Sequence, residues 1–262
     1  MSISPLLIFD FDGVIVDGML EYWTTSRKAC LNLINAREFS FSPYSLPSSP
    51  PSSFVHLRPW VQHGWEMVLI AAELLREDGY LFRNGAQAFS ASYQQQCQKA
   101  LNSWGWTPKQ LQESLENERR DAIKVNKYDW FALHIPYPWV LGRLRRFSLE
   151  GIDWAVLTTK GRDFAAELLD YLELYPSVIY GHESGNKIDV LKAIIANRSI
   201  TGFVEDRLET LENVLNTSEL ALVPCFLAGW GYVNPSQGEK SLPQGIRLLS
   251  PEIMANPLAS WL

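Results

Sequence analysis

The alternation of apolar and polar residues changes period twice along this chain. Residues 6–9 (Leu-Leu-Ile-Phe) form a short unbroken apolar run, the pattern of a parallel strand buried on both faces. From residue 18 to about 134 nothing reads as a strand. Helical spacing dominates instead, predicting helices at 20–35, 59–79, 86–104, 108–124 and 128–133, with Pro59 at a favoured first position and Gly79 as a stop. Between the first two, residues 39–54 are rich in serine and proline and predict a loop. After Pro136-Tyr137-Pro138 a helix is predicted at 139–150, closed by Gly151. Strands at 153–159, 177–180, 200–205, 220–226 and 246–249 then alternate with helices at 162–174, 187–196 and 208–215, and a last short helix covers 251–262. Such alternation predicts an α/β fold, a doubly wound parallel sheet with right-handed crossovers. Residues 1–17 and 136–262 supply it, and an all-helical insert, 18–135, interrupts it after its first strand.

Composition narrows the picture. In 262 residues, 47% hydrophobic and 20% charged positions describe a globular chain. A net charge of −6 with no basic stripe argues against nucleic acid as a partner; Arg143, Arg145 and Arg146 read as a solvated helix face. Cys30, Cys97 and Cys225 are widely spaced and suit free thiols in a reducing compartment. No signal segment precedes the first strand, and no apolar run reaches the roughly 18 residues a membrane span needs. The expectation is a cytoplasmic protein with no membrane partner. Most of the ten tryptophans lie in the insert and read as core.

The candidate chemistry sits where predicted strands end. Asp10 and Asp12 close the first strand, followed by Gly13. In extended chain the two carboxylates share a side; one can attack while the other moves protons, and both suit a hard cation. The competing reading is a surface turn with two solvated acids. Thr158 and Thr159 end the next strand just before a helix, a corner that binds phosphate or merely caps the helix. Lys187 opens a helix, where a cation opposes the dipole and so calls for an anionic partner; an ordinary exposed lysine is the alternative. Lys192 competes with it from deeper in the helix, and Lys160 reads as solvent-facing. Glu205 and Asp206 end a further strand, with Arg207 placed to pair with one of them.

Asp10-Phe11-Asp12-Gly13-Val14, the Thr158 strand end, Lys187 and Glu205-Asp206, in this order, resemble the four motifs of the haloacid dehalogenase (HAD) superfamily. The resemblance covers 5–17 and 139–249, and the insert by location alone. It implies a HAD-like Rossmannoid core with a cap, Asp10 as nucleophile and Asp12 as general acid/base. It further implies phosphate binding by Thr158, Thr159 and Lys187. Mg²⁺ would be held by Asp10, the Asp12 backbone carbonyl and Asp206. The fourth motif departs from the common pattern: Glu205 replaces a glycine, and the downstream acid is ambiguous, so Glu205, Arg207 and Glu209 stand as a possible outer shell. The Thr-Thr-Lys and Val-Glu-Asp-Arg-Leu stretches and Trp230-Gly231-Tyr232 look similar to a phosphoglycolate phosphatase-like branch, near an uncharacterised cyanobacterial and plant group. The implied activity is a Mg²⁺-dependent phosphatase acting on a small-molecule phosphate ester. A phosphosugar mutase is its nearest rival, and a binding or regulatory protein without turnover a third reading. A dehalogenase would not need Asp12. Arg58, Trp60 and Arg83 are guesses for substrate contacts in the insert, arginine because it suits a second anionic group.

Overall fold

The computed structural model describes residues 5–35, 46–234 and 242–261. The chain divides into two compact units: Met1–Asp17 with Ile135–Leu262, and Gly18–His134.

The first unit is built on a six-stranded sheet. Its strands are β1 (Leu6–Phe9), β4 (Asp153–Leu157), β5 (Val178–Tyr180), β6 (Ile200–Glu205), β7 (Cys225–Ala228) and β8 (Ile246–Leu249), in the order β5-β4-β1-β6-β7-β8 with every pairing parallel. β1 lies between β4 and β6, so successive strands run outward on either side of it. Its carboxyl end is the switch point of the sheet, where open α/β folds bind ligands. The period of two in β1 sends Leu6 and Ile8 to one face and Phe9 to the other. Leu6 and Ile8 join Ala155, Phe203 and Leu227 under α9 (Lys187–Ile195) and α10 (Leu208–Leu215). Phe9 packs with Phe147, Trp154 and Trp261, and Trp261 in turn meets Phe226. Phe147 belongs to α7 (Pro138–Phe147), which packs against α11 (Pro251–Ala255). Both faces are thus covered, which is why β1 carries no polar residue. α8 (Arg162–Tyr171) connects β4 to β5.

A two-stranded antiparallel ribbon marks the junction with the second unit. β2 (Val16–Asp17) pairs with β3 (Ile135–Pro136), Asp17 opposite Ile135.

The second unit is helical throughout its described residues: α1 (Met19–Asn35), α2 (Ser52–Leu57), α3 (Gly64–Glu73), α4 (Tyr80–Ser90), α5 (Tyr93–Trp104) and α6 (Pro108–Phe131). α1, α3 and α6 pack on one another. Inside it Glu21 accepts two hydrogen bonds from the Arg119 guanidinium (2.8 and 2.9 Å), one from Thr25 (2.7 Å) and one from the Trp130 indole (3.4 Å). The His134 Nε2 lies 3.9 Å from Glu21.

Several predicted boundaries move. Of the loop predicted at 39–54, residues 39–45 lie outside the described residues, and 52–54 are helical. Pro51 accepts from the N–H groups of Phe54 and Val55, so a residue that cannot continue a helix here starts one, anchored by buried Phe54 and Leu57. Pro59 sits in a 3-10 turn, Arg58–Trp60, and Gly79 caps the start of α4 rather than stopping a helix. The predicted helix 86–104 is two helices. The predicted gap after residue 124 is a break inside α6 at Asn126 (φ −159°), whose side chain accepts from the N–H groups of Tyr128 and Asp129 as an N-cap would. The strand predicted at 220–226 begins only at Cys225. Leu220 and Val223 are buried from a turn, where Val223 N–H donates to the Leu220 carbonyl, and buried apolar turn residues mimic strand.

Candidate active site

β1 delivers Asp10 to the rim of the sheet, where its N–H donates to the Val204 carbonyl of β6 (2.9 Å). β1 ends at Phe9, so the period-two argument for Asp12 does not apply. The chain turns instead, with Ile15 and Val16 N–H both reaching the Phe11 carbonyl. Gly13 makes the turn at φ +86°. A Cβ there would collide with the Asp206 carboxylate and stand 2.8 Å from the Tyr232 ring, so both backbone conformation and space demand glycine.

Three further segments converge on Asp10. β6 ends in Glu205 and the chain continues into Asp206, 0% and 1% exposed. α9 begins at Lys187 after the N-cap Asn186, whose side chain accepts from Asp189 N–H (2.9 Å). The Lys187 ammonium donates to Asp10 Oδ1 (2.9 Å) and Glu205 Oε2 (2.6 Å). Carboxylate oxygens of Asp10, Glu205 and Asp206 all lie within 4.8 Å of one another. Asp206 Oδ2 accepts the Tyr232 N–H (2.8 Å).

Two of these three buried carboxylates, Asp10 and Glu205, share the Lys187 ammonium. Burial pushes Asp10 up to about 7, with Lys187 opposing and Glu205 adding to the rise. Burial likewise raises Glu205 above the usual carboxylate range against the pull of Lys187. Burial alone would lower Lys187, but the charges of Asp10 and Glu205 outweigh it and hold the lysine above its ordinary value. Three clustered carboxylates form an all-oxygen donor set that fits a hard divalent cation, with Asp10, Asp206 and Glu205 as the groups to hold it. Glu205, expected in an outer shell, lies inside this group.

Asp12 sits apart from that group and has its own lysine. Lys160 Nζ is 3.4 Å from Asp12 Oδ1, an oxygen with no hydrogen-bond partner. Lys160 is only 3% exposed, which corrects the solvent-facing reading. The loop after β4 folds back so that Lys160 N–H donates to Thr158 Oγ1 (3.0 Å), turning the side chain inward. Thr158 is buried at the strand end; Thr159 is exposed. Arg207 N–H donates to Glu205 Oε1 (3.2 Å), while its guanidinium pairs with the largely exposed Glu209, which stays out of the carboxylate group. Lys192 pairs with Glu219 (3.0 Å), so Lys187 is the lysine on Asp10. In the helical unit, Arg58 lies over the Tyr22 ring (4.9 Å), Trp60 stacks on His56, and Arg83 donates to the Glu77 carbonyl.

Sequence reasoning missed the inward turn of Lys160 and the reach of Tyr232. Thr-Thr-Lys-Gly carried the signal for the first: a strand-end hydroxyl two residues before a lysine can accept that lysine's own N–H.

The fold is a HAD-like Rossmannoid α/β core with a helical insert. No protein-family model matches the sequence, and no curated protein sequence matches it. Solved structures share the fold over nearly the full length of both chains. They include a predicted phosphatase from Clostridium acetobutylicum (15% identity, TM-score 0.57, 96% of each chain). A putative haloacid dehalogenase-like hydrolase from Bacteroides fragilis matches at 13% identity and TM-score 0.50, over 95% of this chain and 98% of the other. A putative beta-phosphoglucomutase from Thermotoga maritima matches at 18% identity and TM-score 0.53, over 98% and 100%.

Proposed function

We propose that this chain is a Mg²⁺-dependent phosphomonoesterase that hydrolyses a small phosphorylated metabolite in the cytoplasm through an aspartyl-phosphate on Asp10. One observation carries the reading: Asp10 lies at the switch point of the sheet, held by Lys187 and crowded by Glu205 and Asp206. When bound, Mg²⁺ supplies positive charge to the phosphoryl oxygens and lets Asp10 ionise at neutral pH.

The chain's own groups do the rest. An Asp10 oxygen attacks phosphorus as the P–O bond to the leaving group breaks. The Asp12 carboxyl gives its proton to the departing alkoxide. Asp12, now a carboxylate, takes a proton from a water whose oxygen attacks the same phosphorus; the Asp10–phosphorus bond breaks and inorganic phosphate leaves. Lys187 balances charge on Asp10 throughout, and Lys160 steadies Asp12 in its anionic phase. The Thr158 and Thr159 corner offers a hydroxyl and amides to the phosphoryl oxygens. Such sites act chiefly by positioning and electrostatics. In this reading residues 18–135 are the cap, excluding bulk water and choosing the substrate. The buried state of Cys30, Cys97 and Cys225 supports a reducing compartment, and no described helix is long and apolar enough to cross a membrane.

Release of p-nitrophenol from p-nitrophenyl phosphate, abolished by EDTA and restored by Mg²⁺, is the expected result; no release with Mg²⁺ present overturns the phosphatase. The likeness to a putative beta-phosphoglucomutase favours a second reading, a phosphosugar mutase. Turnover of a sugar phosphate without inorganic phosphate would select it. A panel of phosphorylated metabolites identifies the substrate.

A further inference from the structure

Residues 229–232, Gly-Trp-Gly-Tyr, follow β7 and touch three parts of the first unit at once. The Trp230 indole N–H donates to the Val14 carbonyl (3.1 Å), and its ring meets Trp139 and Tyr137 with centroids 6.0 and 6.4 Å away. Tyr137 N–H in turn donates to the Ile15 carbonyl (3.1 Å). Gly231 has no room for a side chain: a Cβ would collide with Asp206 and stand 2.5 Å from the Gly13 carbonyl. Tyr232 then makes two contacts in opposite directions. Its backbone N–H donates to Asp206 Oδ2 (2.8 Å), and its hydroxyl donates to Asp17 Oδ1 (2.6 Å). Asp17 is the last residue before the helical unit and pairs with Ile135, the first residue after it.

We propose that Tyr232 is a positioning residue that ties the cation-holding carboxylate of Asp206 to the junction at Asp17, so that the orientation of Asp206 depends on the entry to the helical unit. The inference rests on the phosphatase reading for its consequence, not for its geometry. An N–H fixed on Oδ2 restrains the Asp206 carboxylate beside Asp10 and Glu205. The amide is held because the hydroxyl at the far end of the same side chain is anchored to a second carboxylate, a charge-assisted contact. Loss of that anchor frees the amide, and Asp206 turns.

The test is a double-mutant cycle on the full chain with Tyr232→Phe and Asp17→Ala, with Asp17→Asn in place of the latter if it does not fold. Mg²⁺ affinity is read by calorimetry, and kcat and KM by p-nitrophenyl phosphate hydrolysis. Each single variant is expected to weaken Mg²⁺ binding about fivefold and to lower kcat more than it raises KM, and the double variant to do no more than either. Additive losses, or Tyr232→Phe within twofold of the parent on both measures, overturn the tie and leave the phosphatase standing. If the parent binds Mg²⁺ without hydrolysis, the phosphatase falls and the tie is decided by affinity alone. If the parent binds no Mg²⁺, both fall.

Discussion

The two units bury charge on opposite plans. In the helical unit Glu21 meets Arg119 in a two-point contact, and Thr25 and Trp130 take further acceptor positions. At the sheet rim three carboxylates cluster, and Lys187 binds two of them, Asp10 and Glu205. Charges of this kind cost several kcal/mol each to bring out of water, and they persist only when paired. The first group is complete as it stands and reads as structure. The second gathers three buried carboxylates with a lysine bound to two of them, an all-oxygen group of the kind that suits a hard cation.

The sharpest way to break this contrast is at Asp10. Asp10→Asn is expected to lower p-nitrophenyl phosphate turnover by at least ~10³-fold, since an amide is a poor nucleophile, without lowering the melting temperature. Turnover near the parent's would remove Asp10 from its role. Arg119→Met should have the converse effect, costing roughly 3–5 kcal/mol in urea unfolding by stranding the Glu21 charge. Glu21→Gln combined with Arg119→Met should recover part of that loss; no recovery would mean that packing, not charge, holds this region. Asp206→Ala should weaken Mg²⁺ binding by at least about tenfold in calorimetry. An unchanged affinity would hand the ion to Glu205.

A gentler probe uses pH. In the metal-free protein Asp10 stands at about 7 and Glu205 is raised as well. Folded-state values above the unfolded ones mean that the native chain holds protons the unfolded chain has released. Their contribution to stability is full below the ordinary carboxylate range and is lost as pH rises through about 7. The metal-free melting temperature should therefore fall between pH 5 and 7, and Asp10→Asn should flatten the fall. Mg²⁺ binding at pH 6 should release protons, visible as a buffer-dependent heat. The smallest effect is expected from the exposed Lys109–Glu113 pair: Lys109→Ala should shift stability by no more than about 0.5 kcal/mol.

Much of the sheet was legible because a strand buried on both faces needs an unbroken apolar run, and β1 and, from Trp154, β4 each have one. β7 was misplaced because Leu220 and Val223 are just as apolar and buried without being strand; only Pro224 marked the true start. Asp10, Lys187 and Glu205-Asp206 were legible as a group because each ends a strand or opens a helix, and all strand ends of a parallel sheet meet at one rim. Lys160 was not, because its direction is set by a hydrogen bond two residues back along the loop. Tyr232 lies beyond sequence patterns of any period. Its partners are Asp17 and Asp206, brought near by the sheet rather than by spacing. In the helical unit, periodicity found helices but misjudged their ends at Pro51 and Gly79, which begin helices where a loop and a stop were expected.

The order of strands also has a consequence for how the molecule comes into being. β1 is made before the helical unit, yet both of its neighbours, β4 and β6, emerge only after the whole of that unit. A growing chain therefore carries Asp10 with no rim to sit in until well after the helical segment has been made, and that contiguous segment can collapse ahead of it. Ribosome-bound chains long enough for residue 134 to have cleared the exit tunnel should yield a protease-resistant helical fragment and, in the phosphatase reading, no hydrolysis; catalytic competence should appear only once residues beyond Tyr232 have cleared it as well.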